Sequence, residues 1–270
     1  MNLESYKIGF IGFGHMAQIL FQRLVSSDLI QENQVYFVEK NEVKTKKITE
    51  KFNVEPISLQ EINEVCRLIL LCVTPQNIQE VLNEIKINSN AQNLYISILA
   101  GTKIERLQKE LGSESMIMKA LPNVASSIGE GIIPLCFNKA CSIDMKTIGM
   151  LLFTSLGMVV EISEKLMDVV CGICGCLPAF VLKMVDEIAK LGVEEGLSYE
   201  MSLKLTAQAF AGSAKLIQKE KQIDPLIKTA SSPSGATEAG LDVLNTLKVL
   251  SGLKESVKAS IKRSDELSNI

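Results

Sequence analysis

Short apolar runs alternate with amphipathic stretches through the first part of the chain. Lys7–Phe13 (KIGFIGF) reads as a strand, and Met16–Ser26 follows with Met16, Ile19, Leu20 and Leu24 at helical spacing. Val35–Val38, Arg67–Val73, Leu94–Ile98, Met116–Ala120, Ile132–Phe137 and Met158–Ile162 read as further strands. Arg67–Val73 is apolar throughout, as a parallel strand buried on both faces must be. Asn77–Ile85 and Lys103–Leu111 between them read as helices. After Ile162 strand-like alternation stops and the period turns helical. Ala179–Leu191, Tyr199–Gln218 and Thr237–Leu250 are the clearest stretches. The pattern predicts an α/β chain: a Rossmann-type parallel-sheet domain over residues 1–163, then an all-helical domain over 164–270.

The first strand runs straight into Gly12-Phe13-Gly14-His15-Met16-Ala17, a G-x-G-x-x-A turn that opens a helix. That context makes it a dinucleotide site. Gly12 turns the chain, Gly14 lets a pyrophosphate reach the backbone, and Ala17 keeps helix and strand close. The phosphates are expected on the helix N-terminus. Glu39 ends the second strand, where a carboxylate accepts from both ribose hydroxyls. This tips the cofactor toward NADH, while Lys40 beside it can hold a 2′-phosphate, so NAD(P)H is the expectation.

Composition narrows the chemistry. With 28 basic and 31 acidic side chains the net charge is −3, which excludes a strongly basic nucleic-acid footprint. No apolar run reaches the roughly 18–20 residues of a membrane span, and no signal-peptide pattern opens the chain. The seven cysteines are an odd number, read as reduced thiols in the cytoplasm. Cys171, Cys174 and Cys176 cluster, but a zinc site wants four ligands and no second pair or nearby histidine supplies the fourth, so no metal is expected. The one histidine, His15, lies in the phosphate-binding turn, away from any hydride-transfer site.

The pieces together resemble pyrroline-5-carboxylate reductase over nearly the whole chain. Ile8–Ala17 is similar to that family's I-G-F-I-G-x-G-N-M-A, with His15 for asparagine. Val73-Thr74-Pro75-Gln76 resembles V-K-P-Q, with Thr74 for lysine. Ser97–Gly101 resembles S-I-A-A-G, and Ala120–Asn123 resembles the M-P-N turn, with Val124-Ala125 for T-P. Pro178-Ala179-Phe180 looks like P-A-Y, and Gly212–Lys215 is G-S-A-K. Ser232-Pro233-Ser234-Gly235-Ala236-Thr237 looks like S-P-G-G-[TA]-T, the segment that separates this family from other dehydrogenases sharing the N-terminal motif. The segment Cys174–Leu177 departs from the family's serine- and glycine-rich loop.

The resemblance implies reduction of 1-pyrroline-5-carboxylate to L-proline by NAD(P)H. It implies cofactor contacts from Gly12, Phe13, Gly14, His15, Met16, Ala17, Glu39, Lys40, Val73, Thr74, Pro75, Ala100, Gly101, Pro122 and Asn123. Substrate falls to Ser232, Ser234, Gly235, Ala236 and Thr237. The backbone N–H groups of Gly235, Ala236 and Thr237 would hold the carboxylate, and the Thr237 hydroxyl would donate to the ring nitrogen. Helix capping by Ser232 and Thr237 is the plainer role for these residue types. Two helical domains would interlock as a homodimer, with the site between one subunit's nucleotide domain and its partner's helices; larger homo-oligomers also occur. An oxidoreductase acting on another cyclic imine, one acting on a 3-hydroxy acid with Lys183 or Lys215 as acid–base group, and a non-catalytic dinucleotide-binding regulator stay open.

Overall fold

A computed structural model describes residues 3–74 and 76–268. Its elements are β1 (Ile8–Ile11), α1 (His15–Ser26), β2 (Val35–Val38), α2 (Glu42–Phe52), β3 (Glu55–Pro56), α3 (Leu59–Val65), β4 (Leu68–Leu71), α4 (Ile78–Ile85), β5 (Leu94–Ser97) and α5 (Ile104–Leu111). They continue with β6 (Met116–Ala120), β7 (Gly131–Phe137), α6 (Ile143–Leu151), β8 (Gly157–Glu161), α7 (Met167–Val170), α8 (Leu177–Glu194), α9 (Tyr199–Glu220), α10 (Ile223–Ala230), α11 (Ala236–Thr246) and α12 (Val249–Ser268).

The strands form one sheet in the order β3-β2-β1-β4-β5-β6-β7-β8. Every residue of β1, β4, β5 and β6 is buried, because helices cover both faces. One pair departs from the expected parallel sheet: β7 runs antiparallel to β6. The cause is connection length. The ten-residue link from Leu121 to Glu130, with a tight 3-10 turn at Val124–Ile128, is too short for a parallel crossover, which takes a dozen residues or more. α6 then supplies the crossover to β8, and pairing is parallel again.

Two apolar clusters fill the two faces of the sheet. On one, Phe13 is 2% exposed and meets the rings of Phe10, Phe21, Phe37 and Phe52 with centroids 5.4–5.8 Å apart. The middle residue of the glycine turn is thus a core anchor, and only its backbone faces outward. On the other face, buried Asn63 and Tyr95 satisfy each other, the Tyr95 hydroxyl donating to Asn63 Oδ1 at 2.9 Å.

Contacts divide the chain into two units: Met1–Gly175 with Ser260–Ile270, and Cys176–Ala259. In the second, α8 and α9 pack together, closely enough at Gly192 that an added Cβ would strike the Ser202 side chain. The helix expected over Thr237–Leu250 is broken. Lys248 takes a left-handed φ of 53°, which ends α11 and starts α12. Between α7 and α8 the chain winds as a π-helix over Cys171–Cys176, so the helical path Glu164–Glu194 is continuous for 31 residues. By length and composition alone that path is apolar enough to cross a membrane, although Asp168 and Lys183 interrupt its apolar run. Of α8, only Val185 and Ala189 are buried within the chain.

Truncating the aromatic anchor should show how far the glycine turn leans on the core. Phe13→Ala is expected to destabilise the nucleotide unit by about 3–5 kcal/mol, the usual cost of deleting a buried phenyl ring. A urea midpoint within error of the parent would refute that role.

Candidate functional site

The carboxyl ends of β1, β2 and β4 enclose a cleft of about 320 Å³. Gly12, Phe13, Gly14, Glu39, Lys40, Val73 and Thr74, all expected to touch cofactor, line it together. Gly12 has φ 85°, and a Cβ there would press on the Cys72 carbonyl and Val73 at 3.0 Å. Gly14 is the N-cap of α1, carries no side-chain cap, and would place a Cβ in open space. The α1 N–H groups are therefore available to an anion, and the space beside Gly14 is the cradle a side chain would fill. These features fit a dinucleotide pyrophosphate. His15 is exposed at the first position of α1, Met16 is half-buried against the core, and Ala17 is buried under the sheet.

The ribose end is more crowded than sequence alone implied. Glu39 Oε1 accepts from the Asn41 N–H at 3.1 Å, so one carboxylate oxygen serves its own turn. Lys40 pairs with Glu80 of α4. Lys44, Asn77 and Glu80 line the cleft and were missed. Lys44 sits one turn into α2 at ordinary surface spacing, and the pairing of Lys40 with Glu80 joins residues forty positions apart, so no local signal marks either. Cys72 also lines the cleft, and burial pushes its thiol well above the ordinary cysteine range, leaving it a neutral thiol.

The remaining expected cofactor residues do not line this cleft. Pro75 lies outside the described residues. Ala100 and Gly101 follow β5. Gly101 is buried with φ 74°, and a Cβ there would lie 2.8 Å from the Leu267 backbone. α12 is held at that point by Asp168, whose Oδ1 accepts from Ser264 at 2.7 Å and Ser268 at 2.9 Å. Pro122 and Asn123 follow β6. Asn123 Nδ2 donates to the Cys174 carbonyl of the π-helix at 3.0 Å.

Ser232, Ser234, Gly235, Ala236 and Thr237 form the turn from α10 into α11, in the helical unit. Gly235 is the N-cap and no side chain caps the helix, so the capping expected of Ser232 and Thr237 is not made. The Gly235 N–H donates to the Ser232 carbonyl at 3.0 Å. The Gly235 N–H is therefore taken within the turn, while Ala236 and Thr237 lie at the helix start. Ser234, which stands where the resembled family has glycine, holds φ 58°; its N–H donates to Glu238 Oε2 at 2.6 Å. Glu238 thereby fixes the left-handed residue that shapes the turn.

Because Gly14 has an ordinary φ and free space around it, Gly14→Val should fold normally. It should nonetheless weaken dinucleotide binding by roughly a hundredfold or more, the loss of two hydrogen bonds to charged phosphate at about 1.5 kcal/mol each. Fluorescence titration of NADPH beside a urea melt reads both; unchanged affinity would remove the pyrophosphate from this turn.

Two family models match the chain. The model described as pyrroline-5-carboxylate reductase dimerisation covers residues 164–267, and that described as NADP oxidoreductase, coenzyme F420-dependent, covers residues 7–101. A pyrroline-5-carboxylate reductase of a Synechocystis species is 34% identical over 97% of this chain and 98% of its own. The Aquifex aeolicus enzyme of that name is 32% identical over 97% and 96%. The crystal structure of Plasmodium falciparum pyrroline carboxylate reductase with NADP bound superposes with a TM-score of 0.90 at 30% identity, covering 98% of this chain and 99% of that one. A dinucleotide cradle, a Ser/Gly turn opening a helix, and full-length relatives at this identity agree: the chain belongs to the pyrroline-5-carboxylate reductase family.

Proposed function

We propose that this chain reduces 1-pyrroline-5-carboxylate to L-proline with NAD(P)H. The observation that carries the reading is the α10–α11 turn: a helix start without a side-chain cap, opened by Ser232–Gly235 and followed by Thr237, in a chain that also holds a dinucleotide cleft. The bound reduced dinucleotide supplies the hydride. Gly12, Gly14 and the start of α1 seat its pyrophosphate. Lys40 and Lys44 offset Glu39 and Glu80 at the ribose end, so charge there does not choose between NADH and NADPH.

In the helical unit the N–H groups of Ala236 and Thr237 take the substrate carboxylate. The Thr237 hydroxyl donates to the ring nitrogen. A cyclic imine is basic enough to be partly protonated near neutral pH, so no strong general acid is required, and the exposed His15 has no part in proton transfer. Glu238 positions the turn through the Ser234 N–H.

The competing 3-hydroxy-acid reading needs a lysine base. Lys183 is bound up on the surface of α8, paired to Glu187 at 2.5 Å and Asp186 at 3.6 Å. Hydrogen bonds that Lys190 donates to the same carboxylates, Asp186 foremost, raise it above the ordinary lysine range and keep it charged. These lysines form an exposed network rather than a poised base.

We place the functional boundary between the nucleotide and helical domains at residues 163 and 164, just after β8. We further propose a homodimer or larger homo-oligomer. Leu182, Ile188 and Leu191 of α8 and Leu205 and Leu216 of α9 stand exposed in the single chain, an apolar surface a second subunit would cover. A partner helix also accounts for the apolar Glu164–Glu194 path without a membrane. Seven cysteine thiols outside any disulfide suit a reducing cytoplasm.

Thr237→Ala should lower kcat/KM for the imine roughly 2- to 10-fold, the loss of one hydrogen bond to the neutral imine nitrogen at about 0.5–1.5 kcal/mol. NADPH affinity should be unchanged, and Thr237→Ser should recover most activity. Equal losses in imine turnover and cofactor binding would sink the role. Light scattering at micromolar concentration should give at least twice the 29.6 kDa chain mass; a monomer would refute the subunit interface.

A further inference from the structure

Two side chains from opposite sides of the cleft meet at its ribose end. Lys40 follows β2, and Glu80 sits in the first turn of α4. Both line the cleft, and they form an ion pair. β1 lies between β2 and β4 in the sheet, so the pair reaches across the strand that carries the Gly12–Gly14 turn. Neighbouring strands stand about 4.8 Å apart. Two long side chains can close the doubled gap between β2 and β4.

Packing does not ask this of Glu80. Ile78, Val81, Leu82 and Ile85 are the buried residues that seat α4. Lys40 and Glu80 are each more than half exposed, and an exposed pair adds little to stability. The helix dipole favours a carboxylate in the first turn, which accounts for an acid at position 80 but not for its lysine partner.

The pair matters to a ligand that wants the same ammonium. With the pyrophosphate on α1, the adenosine ribose comes to the end of β2, beside Glu39 and Lys40. A ribose with free hydroxyls leaves the ion pair intact. A 2′-phosphate needs a cation, and Lys40 can serve it as a point charge only by leaving Glu80. Glu39 is not the competitor, because one of its oxygens is turned to the Asn41 N–H. Lys40 and Lys44 balance Glu39 and Glu80 in number, so the pairing, not the sum, decides what a phosphate meets.

We propose that Glu80 is a specificity-determining residue for the dinucleotide: by holding Lys40 it competes with the 2′-phosphate and lowers the preference for NADPH over NADH. The discriminating carboxylate thus comes from α4, forty positions beyond the β2 turn that binds the ribose. This rests on the cleft taking a nicotinamide dinucleotide.

The test measures NADP⁺ and NAD⁺ affinities of the full chain by calorimetry without substrate. Glu80→Gln removes the charge at nearly constant shape. It should strengthen NADP⁺ binding roughly fivefold, the upper end for an exposed ion pair, and leave NAD⁺ within about twofold. In a Lys40→Met background the same change should alter the NADP⁺/NAD⁺ ratio less than about twofold, because the contested ammonium is gone. An unchanged ratio in Glu80→Gln overturns the proposal. So does an undiminished gain in the Lys40→Met background, since Glu80 would then act without Lys40. A role confined to the helix start would lower the urea midpoint and leave the ratio where it was, which also counts against the proposal. Failure of the native protein to bind either dinucleotide would instead overturn the cofactor reading itself.

Discussion

Burial of both faces of β1, β4, β5 and β6 is the constraint on which the rest depends. A strand hidden on both sides can offer chemistry only at its ends. Parallel pairing brings those ends to one edge, so every turn there belongs to the same shelf. Glycines and polar residues recur on that shelf, whereas the strands behind them are mostly apolar. Phe13 ties the two together, because a residue between two functional glycines is also the hub of a five-ring aromatic cluster. The turn is rigid through its side chain and open through its backbone.

Both anion sites of the proposed chemistry use helix starts rather than cationic side chains, and both leave the helix N-cap to glycine. Gly14 and Gly235 contribute no capping side chain, so the N–H groups beyond them stay available. This explains how a chain with a single histidine can still bind and reduce an anionic imine. The carboxylate of Glu238 also has a place in the helical turn. Ser234 in a left-handed conformation carries strain that glycine would not, and Glu238 offsets it by accepting the Ser234 N–H.

The strands were legible because a doubly buried strand is a bare apolar run, and β2 and β6 were located to the residue. The glycine turn and the Ser232–Thr237 turn were legible because each needs particular residue types at fixed spacing beside a helix start. The reversal at β7 was not, since it depends on the length of a loop rather than on the composition of the strand. The break at Lys248 escaped because the helical period continues across it, and only a left-handed lysine interrupts the backbone. The π-helix at Cys171–Cys176 escaped likewise, its sequence being equally compatible with an ordinary helix. Asn123 was expected near cofactor through resemblance, but the hydrogen bond that turns its amide nitrogen to the Cys174 carbonyl joins residues far apart in sequence, which no local pattern encodes.

The return of α12 to Asp168 and Gly101 makes the nucleotide unit discontinuous along the chain. During synthesis the sheet can assemble once residue 161 has left the ribosome, yet the notch at Gly101 stays unfilled and Asp168 lacks both hydroxyl donors until residues 260–268 follow. Residues 176–259 must therefore be made before the shelf beside β5 is complete. Order of emergence, rather than stability alone, dictates that the notch beside β5 is among the last parts of the nucleotide unit to close.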